Sequence, residues 1–77
     1  MAQYIMTEYQ QKGINIDPYI TVNKFYKAEK YHHEYCDDVF VILDDVGTRL
    51  IVAIDKPSHH LDEVGEFHLY ERSIIHG

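Results

Sequence analysis

The chain has 77 residues, 45% of them hydrophobic, with thirteen acidic against seven basic side chains and a formal net charge of −6. That length makes one domain, residues 1–77, near the size at which a single core yields no more than ~3–5 kcal/mol, so every core position counts. No window approaches the roughly eighteen uninterrupted apolar residues of a membrane span, the lone Cys36 rules out an intrachain disulfide, and the acidic balance disfavours phosphate-backbone binding, which needs clustered Lys and Arg.

The opening MAQYIMTEYQQK has no basic n-region, no apolar h-region and an early glutamate, so no secretory signal is expected and a cytoplasmic location follows. Tyr4 to Tyr9 reads as a strand, with a short helix capped by Gly13 as its rival. Gln10 to Asp17 reads as a polar loop punctuated by Gly13. From Tyr19 to Ala28, the consecutive β-branched Ile20, Thr21 and Val22 and a period of two through Ile20, Val22, Tyr26 and Ala28 favour a strand over a helix begun at Asp17-Pro18. Asn23-Lys24 marks a turn or kink inside it, because Asn tolerates left-handed backbone.

The clearest element is Val39-Phe40-Val41-Ile42-Leu43, then Asp44-Asp45-Val46-Gly47-Thr48, then Arg49-Leu50-Ile51-Val52-Ala53-Ile54. Two β-branched runs around an Asp- and Gly-bearing turn predict a hairpin. Both faces of both runs are apolar, which implies burial on two sides or closure into a barrel. Lys56-Pro57 ends the second run, and Ser58 to about Glu63 fits a single helical turn with Ser58 as cap and Leu61 inward. Glu66 to Glu71 alternates as a half-buried strand does, and Arg72 to Gly77 reads as a tail in which Ile74 and Ile75 could pack. Five short strands so spaced imply an all-β fold, a small closed or nearly closed barrel over residues 2–71, since closure removes exposed apolar edges.

The residues Ile20, Thr21, Lys24 and Tyr26, then Ile42, Asp44, Asp45 and Gly47, then Phe67 and Leu69 resemble the pattern of small phage and bacterial proteins with a Src-homology-3-like barrel. The likeness runs from Ile20 to Glu71, about two thirds of the chain, and its motifs mark a turn, a core tyrosine and a hairpin, so they imply a fold and hardly any function. Asn23 stands where that pattern has Gly, and the chain lacks the Trp of peptide-binding Src-homology-3 domains, which disfavours polyproline recognition. The resemblance implies that the 10–17 loop, His32-His33-Glu34-Tyr35-Cys36 and Ser58-His59-His60-Leu61-Asp62 lie on one side of the barrel.

A zinc site drawn from His33, Cys36, His59 and His60 would satisfy thiolate and imidazole preferences, but it lacks the paired cysteines that make such readings dependable, and no metal or other cofactor is expected. Ser58, His59 or His60, and Asp62 supply the residue types of a hydrolytic triad without its geometry, so no enzyme activity is expected. Tyrosines give large rigid contact area with a polar tip. By strand alternation, Tyr26 and Tyr70 belong to the core. Tyr31 and Tyr35, flanking the histidines, point to a binding surface formed with His32, His33, His59 and His60 and bordered by Glu34, Asp37, Asp38 and Asp62 as steering charges. The sequence thus leads to a non-enzymatic protein-binding module, a phage or mobile-element accessory that modulates a host factor, with homo-oligomer formation open. The rival readings are nucleic-acid or nucleotide binding through exposed aromatics, with Lys24, Lys27, Lys30 and Arg49 as the available cations, and inhibition of a nucleic-acid-binding host enzyme by acidic mimicry.

Overall fold

The computed structural model describes residues 2–12 and 17–73. Gly13, Ile74 and Ile75, which the sequence reading used as a loop or cap residue and as packing residues of the tail, lie outside them. The fold is all-β: β1 (Ala2–Met6), β2 (Tyr26–Lys27), β3 (Glu29–Lys30), β4 (Val39–Leu43), β5 (Arg49–Ala53) and β6 (His68–Arg72), with one 3-10 turn, η1 (His59–Leu61), before β6. The strands form two three-stranded sheets, ordered β2-β1-β6 and β3-β4-β5.

The β4–β5 hairpin forms where the sequence places it, pairing Val39 with Ala53 at its open end and Leu43 with Arg49 at its turn. Its loop is an Asx-type turn: the Asp44 carboxylate accepts from Val46 N at 3.1 Å and Thr48 N at 2.8 Å, and Gly47 takes φ 85°. Burial then splits by strand alternation. Phe40, Ile42, Leu50 and Val52 enter the core, while Leu43 and Ile51 remain 57% and 41% exposed and Val39, Val41 and Ala53 only partly covered. Burial on both faces, expected from the apolar runs, is therefore not realised.

β2 and β3 are one bent stretch. Tyr26 pairs with Ile5 in the first sheet, Glu29 pairs with Val41 in the second, and the small, buried Ala28 makes the corner, its N–H donating to Gln3 O at 2.9 Å. On the other side the sheets meet through an isolated parallel bridge, Ile54 to Phe67, with Asp55 N donating to Phe67 O at 2.8 Å. Among the described residues the strands form two small sheets joined at a bent strand and a bridge, with no continuous ladder closing them into the closed or nearly closed barrel expected from the sequence.

Four further expectations change. Tyr19 to Val22 is not a strand; Asn23 does adopt left-handed backbone at φ 63°, its N–H donating to Thr7 O at 2.8 Å, and regular pairing begins only at Tyr26. β1 stops at Met6 because Thr7, fully buried, turns its hydroxyl to Glu66 O at 2.8 Å and receives Tyr9 N at 3.1 Å. Phe67 and Leu69 face the core, as the alternation expects, whereas Tyr70, expected in the core, lies on the other side of β6 beside Tyr4, edge-on to Phe25 at 5.5 Å. β6 also takes in Arg72, which lies over Phe25 and Tyr70 instead of starting a tail.

The core is Ile5, Tyr26, Ala28, Phe40, Ile42, Leu50, Val52, Leu61 and Phe67, drawn from both sheets and η1. Ser58 caps η1 as expected, its Oγ accepting from His60 N at 3.2 Å, and Leu61 is fully buried.

Candidate functional site

Two polar clusters lie at the two ends of the β4–β5 hairpin. At the turn end, Asp45 accepts from Lys24 Nζ at 2.6 Å, from Tyr26 OH at 2.8 Å and from the Thr21 hydroxyl. The Tyr26 oxygen in turn receives Thr21 N at 2.6 Å, and Asp45 N donates to Tyr19 O at 3.0 Å. The Lys24 ammonium, then the Thr21 hydroxyl and the Tyr26 phenol, hold the Asp45 carboxyl down to about 2. Loss of solvent around the Tyr26 ring, with Asp45 nearby, raises its phenol. Thr21, Lys24, Tyr26, Asp44, Asp45 and Gly47, which carried the resemblance to a barrel family, thus use their polar groups on one another or on the hairpin turn.

At the open end, the two histidine segments do come together. Tyr31, His33 and Cys36 from one and Pro57, Ser58, His59 and His60 from the other border a single hollow of about 300 Å³, whose floor is Val39, Ile51 and Ala53 on the outer hairpin face. A second hollow of about 290 Å³, lined by Lys30, His32, Glu34 and Asp37, adjoins it through His33 and Cys36, which border both. The loop is positioned by Tyr31 N donating to Val39 O at 3.0 Å and by the His33 Nδ1, which accepts Tyr35 N at 3.1 Å. That turn throws Tyr35 outward, 85% exposed, edge-on to the His33 ring at 6.1 Å.

The sequence-predicted residues therefore divide. Tyr31, His33 and His59 line the first hollow; His32, Glu34 and Asp37 are exposed around the second, and Tyr35 stands beside them. Asp38 is committed elsewhere, pairing with Lys56 Nζ at 2.8 Å, which lowers the Asp38 carboxyl below its ordinary range and raises Lys56. Asp62, in left-handed backbone at φ 57°, accepts from Tyr9 OH at 3.0 Å and Lys12 N at 2.8 Å. Desolvation and the Asp62 carboxylate together raise the Tyr9 phenol. Close behind, a Cβ on Gly65 would fall 2.5 Å from the Tyr9 ring, so only glycine lets the 58–65 turn rest on that tyrosine.

His60 is the largest change in meaning. Only 8% exposed, its ring lies between the Asp17 carboxylate at Nδ1 and Ile51 O at Nε2, 3.1 Å away. A carbonyl oxygen only accepts, so Nε2 donates to Ile51, and Nδ1 lies against the Asp17 carboxylate. His60 thereby fastens the first loop and η1 onto the edge of β5, and presents only its flank to the hollow, its ring 4.0 Å from that of His59. Asp17 was read from sequence only as a loop or cap residue; no local pattern links it to His60, 43 positions away.

Chemically, the hollow combines an apolar floor with imidazole and phenol rims. Ser58 Oγ accepts from His60 N, and the His60 ring is turned to Asp17 and Ile51, so His60 is not aimed at the serine as a base. Among the described residues, no three His, Cys, Asp or Glu side chains group as a metal-binding set, and no helix is long and apolar enough to cross a membrane. Compared with protein-family models, with curated proteins and with solved structures, the chain matches none of them.

Proposed function

We propose that the protein is a small, non-enzymatic protein-binding module that engages its partner at the hollow between the two histidine segments. The observation that carries this reading is the junction of His33 and Cys36 with His59 and Pro57 over an apolar floor, with Tyr35 projecting beside it. An apolar depression with an aromatic rim next to an exposed tyrosine is what protein interfaces use as an anchor point. The commitment of Ser58 and His60 to structural bonds supports the non-enzymatic reading. The nucleic-acid alternative draws less support, since Lys24, one of its candidate cations, is held by Asp45 and the chain is acidic overall.

Within this reading the two sheets, bent at Ala28 and bridged at Phe67, represent an opened variant of the Src-homology-3-like barrel, and the protein is a cytoplasmic accessory of a phage or mobile element that modulates a host factor. The test is affinity capture from host lysate by the unaltered chain and by the variant carrying Tyr35→Ala and His59→Ala. Both positions are exposed, so the variant folds. A partner retained by the first and lost by the second is the expected result; a partner held equally by both removes this face from consideration.

A further inference from the structure

The outer face of the hairpin carries an apolar stripe, Leu43, Val41, Ile51, Val39 and Ala53, that no described element covers fully. Each end of this stripe carries a hollow, and the two ends differ in charge. At the turn end Leu43 projects, flanked by Lys27 and Arg49 around a hollow of about 300 Å³. At the open end the floor drops to Ala53 between the histidine segments, with the exposed carboxylates Glu34 and Asp37 beside it. Lys27 and Arg49 at one end and Glu34 and Asp37 at the other make the face complementary to itself in charge when rotated by half a turn, although Glu29 lies among the first pair and Lys30 beside the second.

We infer that this face binds a second copy of the chain, through a two-fold axis that lies in the interface, runs across the strands and passes over the Val41–Ile51 pair. That pair is the middle of the five register pairs from Val39–Ala53 to Leu43–Arg49, so the rotation exchanges the two ends. Leu43 of each copy enters the hollow over Val39 and Ala53 of the other, so that the second copy and the protein partner proposed above compete for that hollow, and Lys27 and Arg49 face the Glu34–Asp37 end. Pairing through the β5 edge is blocked, because His60 occupies Ile51 O and the Ile54–Phe67 bridge takes the next position. The same axis sets Glu29, paired with Val41 in the register, against its own copy, which opposes association. The dimer is accordingly weak and exists at micromolar concentrations and above.

Sedimentation velocity over a concentration series tests this without any partner. The unaltered chain is expected to pass from monomer to dimer, and Leu43→Glu to abolish the dimer while leaving the circular dichroism spectrum unchanged. Lys27→Glu with Arg49→Glu should weaken self-association by about tenfold or more, as should Glu34→Lys with Asp37→Lys, because each puts like charges together at both ends. An equimolar mixture of these two double variants restores both contacts and should dimerise as the unaltered chain does. Glu29→Gln should tighten the dimer by about threefold. A chain that stays monomeric up to about 1 mM overturns the inference. So does a dimer indifferent to Leu43→Glu, or double variants whose mixture associates no better than either alone.

Discussion

The turn end and the open end of one hairpin show two uses of polar side chains. Around Asp45, each donor has an acceptor within the cluster, and the cluster ties the segment before β2 to the β4–β5 turn. Around the histidines, the structural bonds lie underneath, at His60, Asp17 and Asp62, while Tyr35, His32, Glu34 and His59 face outward. A closed network stabilises and specifies; an open rim over an apolar floor is free to meet something else. The residues with the most motif-like sequence are at the closed end, which is why the pattern speaks of fold.

The contrast breaks most sharply at Tyr26. Its ring is core and its hydroxyl belongs to the Asp45 cluster, so Tyr26→Ala should cost about 3–5 kcal/mol, comparable to the whole stability of a domain this small. Urea denaturation should show no cooperative transition left, or one displaced to very low denaturant. Tyr26→Phe, which keeps the ring and leaves Thr21 N and Asp45 without their partner, should cost only about 1–2 kcal/mol. Equal losses would mean that the hydroxyl, rather than the ring, holds this end together.

Next in size is His60→Ala. It strands the Asp17 carboxylate and the Ile51 carbonyl and should destabilise by about 1–3 kcal/mol, although the residue sits in a histidine pair whose other member, His59, should tolerate Ala within about 0.5 kcal/mol. Measured in parallel, the two substitutions separate the framework of the open end from its rim.

How much of this could be read from the chain depends on whether the physics is local. The hairpin, the Ser58 cap, the inward Leu61 and the left-handed Asn23 all follow from neighbours within a few positions, and all appear. The shared hollow was anticipated only through the resemblance, which placed the 32–36 and 58–62 segments on one side. What did not show were contacts between distant segments: Asp17 with His60, Asp62 with Tyr9, and Thr7 with Glu66. The apolar outward face of β4 and β5 misled for the same reason. Continuous apolar runs signal two-sided burial when another layer covers the sheet, and here no described element does.

A smaller effect separates the ends by pH. The Asp45 carboxyl, held at about 2 by Lys24, Thr21 and Tyr26, has its ordinary value of 3.8 in the unfolded chain. The unfolded state therefore binds the proton first, so this contribution is fully present above about pH 4 and is lost as the pH falls toward 2. Asp45→Asn should be less stable than the parent at pH 6, and the gap in urea midpoint should narrow between pH 4 and pH 2. A gap that stays constant would show that the Lys24 and Tyr26 contacts are not electrostatic in origin.

The smallest effect on stability should come from Tyr35→Ala, and it carries the most information about use. With 85% of the residue in solvent, almost no buried area is lost, and the His33 Nδ1 still receives the backbone N–H of position 35. The unfolding free energy should move by no more than about 0.5 kcal/mol. A loss well above that would make the edge-on His33–Tyr35 pair part of the framework and the open end a second closed cluster. A neutral result leaves a large, rigid, solvated aromatic side chain with no structural employment in the monomer. Such a residue gives away contact area that folding could have used, which is the expected signature of a side chain kept outside for association.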